Sequence, residues 1–214
     1  EGQRVGRIAT VVGVNRASVE LLNFTLPPAK DQELAQLVLN QALREAQTLD
    51  ETAVLDFVPL TRDPRESREV MAAVLSGAQR KQIEEACAHA ALKPARIVLR
   101  PFSAASLFLR TVSPQRPCLL LNLLADEADL TVLSEGRAVF LRTVRLPEDV
   151  TEEVAAQRLA AEVTRTLVVA QQGPLRGASV EHVFVYGGPG EHQALVEQLR
   201  LDPGLPVTVM DPFE

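Results

Sequence analysis

The sequence predicts an α/β fold of layered sheet and helix, and three observations carry that expectation. The run Cys118 to Leu124 is continuously apolar, as a central strand covered on both faces requires. Around it, the second half of the chain reads strand, strand, strand, helix, strand, helix, strand, so that an antiparallel hairpin pair feeds a helix-covered sheet. In the first half, stretches with strand alternation and stretches with helical spacing also follow one another, punctuated by proline and glycine.

Taken in order, Arg4 to Val14 is rich in Val and Ile and alternates, which predicts a strand. Ser18 to Thr25 fits either an extended segment or a short helix. Leu26-Pro27-Pro28 stops any regular element. Asp31 is placed to cap a helix over Gln32 to Ala46, in which Ala35, Val38, Leu39, Ala42 and Ala46 recur at helical spacing. Thr52 to Leu60 alternates as a strand, Asp63 to Ser67 is a polar turn, and Val70 to Leu75 is a strand of small apolar residues. Gly77 opens a helix with Ile83, Ala86, Cys87 and Ala90 on one face. Pro94 ends that helix, Ile97 to Leu99 makes a short strand, and Ser103 to Leu109 a short helix. Ser113-Pro114-Gln115-Arg116-Pro117, polar with two prolines, is the expected linker.

Beyond it, Cys118 to Leu124 and Asp129 to Leu133 are strands, and Glu135-Gly136 makes a tight hairpin turn into a third strand, Ala138 to Leu146. Asp149 and Glu152 have the spacing of a capping box ahead of a long helix, about 151–171. Gly173-Pro174 breaks it. Val183 to Tyr186 is a strand that runs through Gly187-Gly188-Pro189-Gly190 into a helix from Glu191 to Leu199, and Val207 to Met210 is the last strand.

Composition narrows the function. The chain has 214 residues, 46% apolar and 23% charged, with a net charge of -6. Acidic and basic residues are interspersed, and an acidic surface repels phosphate backbones, so nucleic-acid binding is not expected. No apolar run is long enough to cross a bilayer. The opening Glu1-Gly2-Gln3-Arg4 is not a signal peptide, and its lack of an initiating Met points to an excised fragment. Cys87 and Cys118 lie in apolar stretches without metal-ligand spacing, which predicts buried thiols in a reducing, cytoplasmic setting. No Gly-Lys-Ser/Thr phosphate loop and no Gly-any-Ser-any-Gly elbow occurs. His89, His182 and His192 are scattered, without an acid at triad or metal spacing.

Several stretches carry a resemblance. LLLNLLADEADLTVLSEGRAVFLRTVRL resembles the phosphate-contacting hairpin of PilM-like pilus-assembly proteins. LAAEVTRTLVVAQQ looks like the family helix with spaced Glu and Arg, here Glu162 and Arg165. VEHVFVYGGPGEHQALVEQL is similar to its Gly-Gly turn from strand to helix, and PVTVMDPFE to its terminal strand. VVGVNRASVELLNFTLPP, DQELAQLVLNQALREA and AVLDFVPL follow one another as in that family, so the resemblance spans essentially the whole chain. It implies an actin-like ATPase (ribonuclease H-like) fold related to FtsA and GspL, with the amino-terminal part of the first lobe missing. Residues 1–112 are then the remainder of the first lobe with an inserted α/β subdomain, 113–117 the linker, and 118–214 the second lobe.

The resemblance also implies a nucleotide kit. Two glycine-containing hairpins wrap the phosphates, because backbone N–H groups approach the oxygens closely, and acidic residues hold Mg²⁺. The first hairpin falls upstream of Glu1. The second has the family pattern Asp-any-Gly, where Asn122-Leu123-Leu124 stands here. Asn122 lacks the carboxylate charge, and Leu124 places a branched side chain against the phosphate. Asp126, Glu127 and Asp129 follow as a solvated turn, or, in a shifted register, Asp126 or Asp129 supplies the Mg²⁺ ligand. Gly187, Gly188 and Gly190 are the adenosine-turn candidates. They fit equally a strand-to-helix turn that needs positive φ and close packing.

These features imply a cytoplasmic adaptor of a type IV pilus or type II secretion platform, deficient in nucleotide binding. Its partner is the cytoplasmic tail of a single-span inner-membrane protein, docked in a first-lobe groove near Leu26-Pro27-Pro28, and it reaches the membrane through that partner. Leu34 and Val38 either line that groove or face the core. No cofactor is expected in this fragment, although ATP and Mg²⁺ are possible in the full-length protein. The alternatives are an active Mg-ATP-binding ATPase or switch in the same machinery, and self-association into actin-like filaments.

Overall fold

The computed structural model describes residues 10–147, 149–188 and 190–212. The chain divides into two compact units, Glu1–Arg100 and Pro101–Glu214. The expected linker 113–117 falls inside the second of these, between a helix and a strand.

Unit 1 contains β1 (Thr10–Val14), a 3-10 turn (Arg16–Ser18), β2 (Glu20–Leu26), α1 (Asp31–Glu45), β3 (Val54–Pro59), β4 (Arg68–Leu75), α2 (Gly77–His89) and β5 (Pro94–Leu99). Residues 4–9 of the first expected strand lie outside the described residues. The ambiguous segment after Ser18 is a strand, fixed by antiparallel pairing of Glu20 through Leu26 with Val74 through Arg68. β2, β4 and β3 form an antiparallel sheet in that order, and β1 pairs with β5 in parallel.

A single helix covers one face of the three-stranded sheet. Leu34, Val38 and Ala42, four residues apart, are buried against Phe24, Leu26, Val70 and Ala72. Leu34 and Val38 thus face the core, while Ala35 and Leu39 of the expected stripe are exposed. One helix on three strands can bury only a narrow stripe, so the flanks of its apolar arc stay in water. α2 departs from expectation in the same way. Cys87 is buried and Ile83 half-buried, but Ala86 and Ala90 are exposed.

Asp31 does not cap α1. The N-cap is Lys30, whose backbone N–H donates to the Glu33 side chain at 3.1 Å. The Asp31 carboxylate is taken instead by Arg68, at 2.8 Å. Arg68 is 1% exposed and also donates to the Ala29 carbonyl at 2.7 Å, so a buried guanidinium ties the segment entering α1 to the start of β4.

Unit 2 comprises α3 (Arg100–Thr111, begun by the last residue of unit 1), β6 (Cys118–Leu123), β7 (Glu127–Ser134), β8 (Arg137–Arg145), α4 (Glu152–Gln172), β9 (His182–Tyr186), α5 (Gln193–Leu201) and β10 (Val207–Met210). One five-stranded sheet runs β10-β9-β6-β7-β8. β10, β9 and β6 are parallel, and β6, β7 and β8 are antiparallel. The β7–β8 turn has Glu135 at φ +52° and Gly136 at φ +73°, the two positive φ values that match strand twist in a two-residue hairpin.

Strand pleating sorts the residues of this sheet to two faces. Leu119, Leu121, Leu130, Val132, Val183 and Val185 join Leu159, Val163, Leu195 and Leu199 of α4 and α5 in one continuous core. The opposite face meets α3: the Phe108 and Phe184 rings lie 4.8 Å apart, and the Tyr186 hydroxyl donates to the Ala104 carbonyl at 3.0 Å. Burial pushes the Tyr186 phenol up to about 12. The cap of α4 also differs from expectation. Thr151, not Asp149, is the N-cap, its hydroxyl accepting from the Val154 N–H at 3.5 Å, and Asp149 sits in the loop at φ +56°. Cys87 and Cys118 are both free and buried. Burial pushes the Cys118 thiol up to about 12.

Candidate functional site

The carboxyl ends of β6 and β9 bring the sequence-predicted residues to one end of the unit 2 sheet, where open α/β sheets hold ligands. Asn122 stands opposite Tyr186 on one side and Asp129 on the other, and Asp129 stands opposite Thr143. The four share one pleat face, so a polar row crosses the sheet. Asp129 is 1% exposed and accepts the Thr143 hydroxyl at 2.5 Å. This corrects the expectation of a solvated acidic turn. Asp126 is exposed and Glu127 half-buried, but Asp129 belongs to the interior of the sheet. A buried carboxylate needs hydrogen-bond donors, and the neighbouring strand supplies one.

The turn itself is Leu124-Ala125-Asp126. The Leu124 N–H donates to the Glu127 carbonyl at 2.9 Å, and the Leu146 N–H donates to the Asp126 carbonyl at 2.8 Å. The Leu124 amide is therefore spent within the turn. Among the described residues, no three His, Cys, Asp or Glu side chains converge in a metal-holding group.

The glycine turn after β9 is closed in a comparable way. The Gly187 N–H donates to the Met210 carbonyl at 3.0 Å, tying the turn to β10. The Gly188 N–H donates to the Glu191 carboxylate at 2.8 Å. A Cβ on Gly187 would lie 2.8 Å from the His192 ring, so a side chain there would require the imidazole to move. Gly190 adopts φ +83° and His192, at the N-cap of α5, φ +61°. Gly187 is thus closely approached and Gly190 needs its positive φ, while Gly188 has room for a Cβ and offers its amide to a neighbouring carboxylate.

The third feature joins β8 to α4. Arg142 of β8 pairs with Glu162 of α4 at 2.5 Å, and Arg165, one turn further on, binds the other oxygen of the same carboxylate. The Thr166 hydroxyl donates to the Glu162 carbonyl at 2.7 Å. These residues border a groove of about 620 Å³ that is also lined by Arg145, Arg158, Leu146 and Leu159. Sequence reading marked Glu162 and Arg165 but not Arg142 or Arg158. Arg158, Glu162 and Arg165 lie at helical spacing on one face of α4, a signal that was present; the pairing with Arg142 depends on the strand beside the helix. The remaining histidines have local partners. His182 contacts the Thr208 hydroxyl at 2.8 Å and stacks on Phe184, and the His89 ring contacts the Glu85 carbonyl at 2.8 Å.

No family model and no curated protein sequence matches the chain. Solved structures do. A chain of a PilM-PilN type IV pilus biogenesis complex aligns with a TM-score of 0.77 at 20% identity, over 95% of this chain and 69% of that one. The cytoplasmic domain of EpsL, an inner-membrane component of the type II secretion system of Vibrio cholerae, aligns with a TM-score of 0.53 at 12% identity, over 98% of this chain and 79% of that one. A Bacteroides thetaiotaomicron protein of actin-like ATPase fold aligns more loosely, with a TM-score of 0.48 at 12% identity, and the assignment rests on the first two. The fold is the α/β, actin-like one that the sequence resemblance implied.

Proposed function

We propose that this chain acts as a cytoplasmic adaptor in the assembly platform of a type IV pilus or type II secretion system, and that it does so without nucleotide chemistry. The observation that carries the first part is the likeness of nearly the whole chain to a chain of a PilM-PilN type IV pilus biogenesis complex. The EpsL likeness supports the same class of machinery. The partner in this reading is the cytoplasmic tail of a single-span inner-membrane protein, held as an extended peptide by unit 1. No helix among the described residues is long and apolar enough to cross a membrane, so membrane attachment in this reading comes through the partner.

The hairpin turn supports the second part. Asn122 brings no charge to a Mg²⁺ ion, the Leu124 amide is bound to Glu127, and Asp126 and Glu127 add negative charge that a phosphate disfavours. Gly188, the other backbone donor of interest, already holds Glu191.

Two titrations test the proposal on the whole protein. A peptide copying the cytoplasmic tail of the cognate single-span protein is expected to bind with micromolar affinity or better, about -8 kcal/mol. Absence of binding by folded protein would remove the adaptor reading. Mg-ATP is expected to give no heat of binding. Micromolar Mg-ATP binding would replace the proposal with a nucleotide-dependent switch in the same machinery.

A further inference from the structure

We infer that the groove between β8 and α4 docks an extended, acidic segment of a protein partner. Two independent features meet there. The first is charge. Arg142, Arg145, Arg158 and Arg165 line the groove against a single lining carboxylate, Glu162, in a chain whose net charge is -6. Glu162 is already bound by two guanidinium groups. Arg145 stands opposite Glu127 in the β7–β8 register and is partly balanced by it. Arg158 has no carboxylate partner among the described residues. A guanidinium carries five N–H donors, so Arg142 and Arg165 keep donors to offer after binding Glu162.

The second feature is the strand edge. β8 ends the sheet, and no described strand pairs with its outer side. Its edge backbone groups run beside the groove, and an incoming strand would place alternate side chains on the α4 face. Leu146 and Leu159 give the same groove an apolar lining, so a segment alternating acidic and apolar residues matches the edge, the charge and the lining together. A free phosphate would use only the charge. A second copy of this chain paired through β8 would bring Arg137, Arg142 and Arg145 against their own kind, which cross-strand repulsion disfavours. This inference concerns unit 2 and stands apart from the tail-docking reading of unit 1.

The test is fluorescence anisotropy on the whole chain with a labelled peptide of alternating Glu and Val. Saturable binding is expected, weakened about tenfold by Arg158→Glu with Arg165→Gln, both exposed positions whose replacement leaves the core intact. Binding should also weaken about tenfold between about 50 mM and about 300 mM salt, because the charges are solvent-accessible. A Glu-Val peptide N-methylated at alternate residues should lose binding, since it cannot pair with an edge. Several results overturn the inference: no saturable binding, equal binding of a Lys-Val peptide, or an unaffected double variant. So does inorganic phosphate that binds in the groove while the peptide does not, or sedimentation showing self-association that the double variant abolishes.

Discussion

The sheets of the two units are built on different principles. In unit 2, five strands carry helices α4 and α5 on one face and α3 on the other, and Leu119, Leu121, Leu130 and Val132 are all inaccessible. In unit 1, three antiparallel strands carry α1 on one face, while Leu21, Ala73 and Leu75 pack in a smaller second cluster with Val12 and Val14 of β1, Ile83 of α2 and Ile97 and Leu99 of β5; Leu39, Leu43, Val54 and Val58 are left exposed. Unit 2 holds itself together by area of apolar contact. Unit 1 relies more on specific polar ties: Arg68 to Ala29 and Asp31, and Glu20 to the backbone N–H groups of Gln47 and Thr48. One large continuous core tolerates the loss of a polar tie better than the loss of a large side chain, and two smaller clusters show less difference between the two.

Core truncation should break the comparison most sharply. Leu121→Ala in unit 2 is expected to destabilise by about 3–4 kcal/mol, whereas Leu34→Ala in unit 1, the same side chain removed, should cost about 2–3 kcal/mol, because the smaller cluster around it closes more readily over the gap. Denaturant melts with hydrogen exchange resolved by unit would read both, and equal losses would count against the contrast. Next comes Arg68→Ala, expected to cost unit 1 about 2–3 kcal/mol, since the Ala29 carbonyl loses its buried donor and a cavity remains. Asp31→Ala should cost well under about 1 kcal/mol, because that carboxylate is exposed. If the two variants matched, the buried carbonyl contact would not be the larger part of the tie.

In unit 2, Thr143→Val should cost about 1–2 kcal/mol by removing a donor from buried Asp129. A neutral result would mean that other contacts of Asp129 suffice. The smallest effect is a pH dependence in unit 1. The Gln47 backbone N–H, followed by the Thr48 hydroxyl, holds the Glu20 carboxyl below its ordinary range. Its folded pKa is depressed, so its contribution is present above the unfolded carboxylate range and is lost as pH falls through the folded value. Glu20→Gln should therefore lower Tm at neutral pH and converge with the parent in acid. Parallel Tm curves would rule the contribution out.

The same contrast explains what was legible in the sequence. Unit 2 could be read almost strand by strand: a central strand covered on both faces must be apolar throughout, as Cys118 to Leu124 is, and the Glu135-Gly136 turn announces its hairpin. Unit 1 was less readable. Ser18 to Thr25 has no decisive period, and its strand state is settled by pairing with β4. Asp31 looked like a cap because local spacing favours one, but a guanidinium from 37 residues away claimed it. At the candidate site, the sequence marked Asn122, Leu124 and the glycines by position. It did not reveal that Asp129 is buried beside Thr143, or that Glu191 occupies the Gly188 amide.

The sequence by itself determined the alternation of strands and helices and the layered α/β class. These follow from side-chain chemistry and local spacing, which act over a few residues. The tertiary structure decided which carboxylates are buried, which amides are spent inside turns, and that Arg142 joins Arg158 and Arg165 around Glu162 beside an open strand edge. Those depend on strands and helices distant in sequence being brought into register, and local pattern carries no record of that pairing.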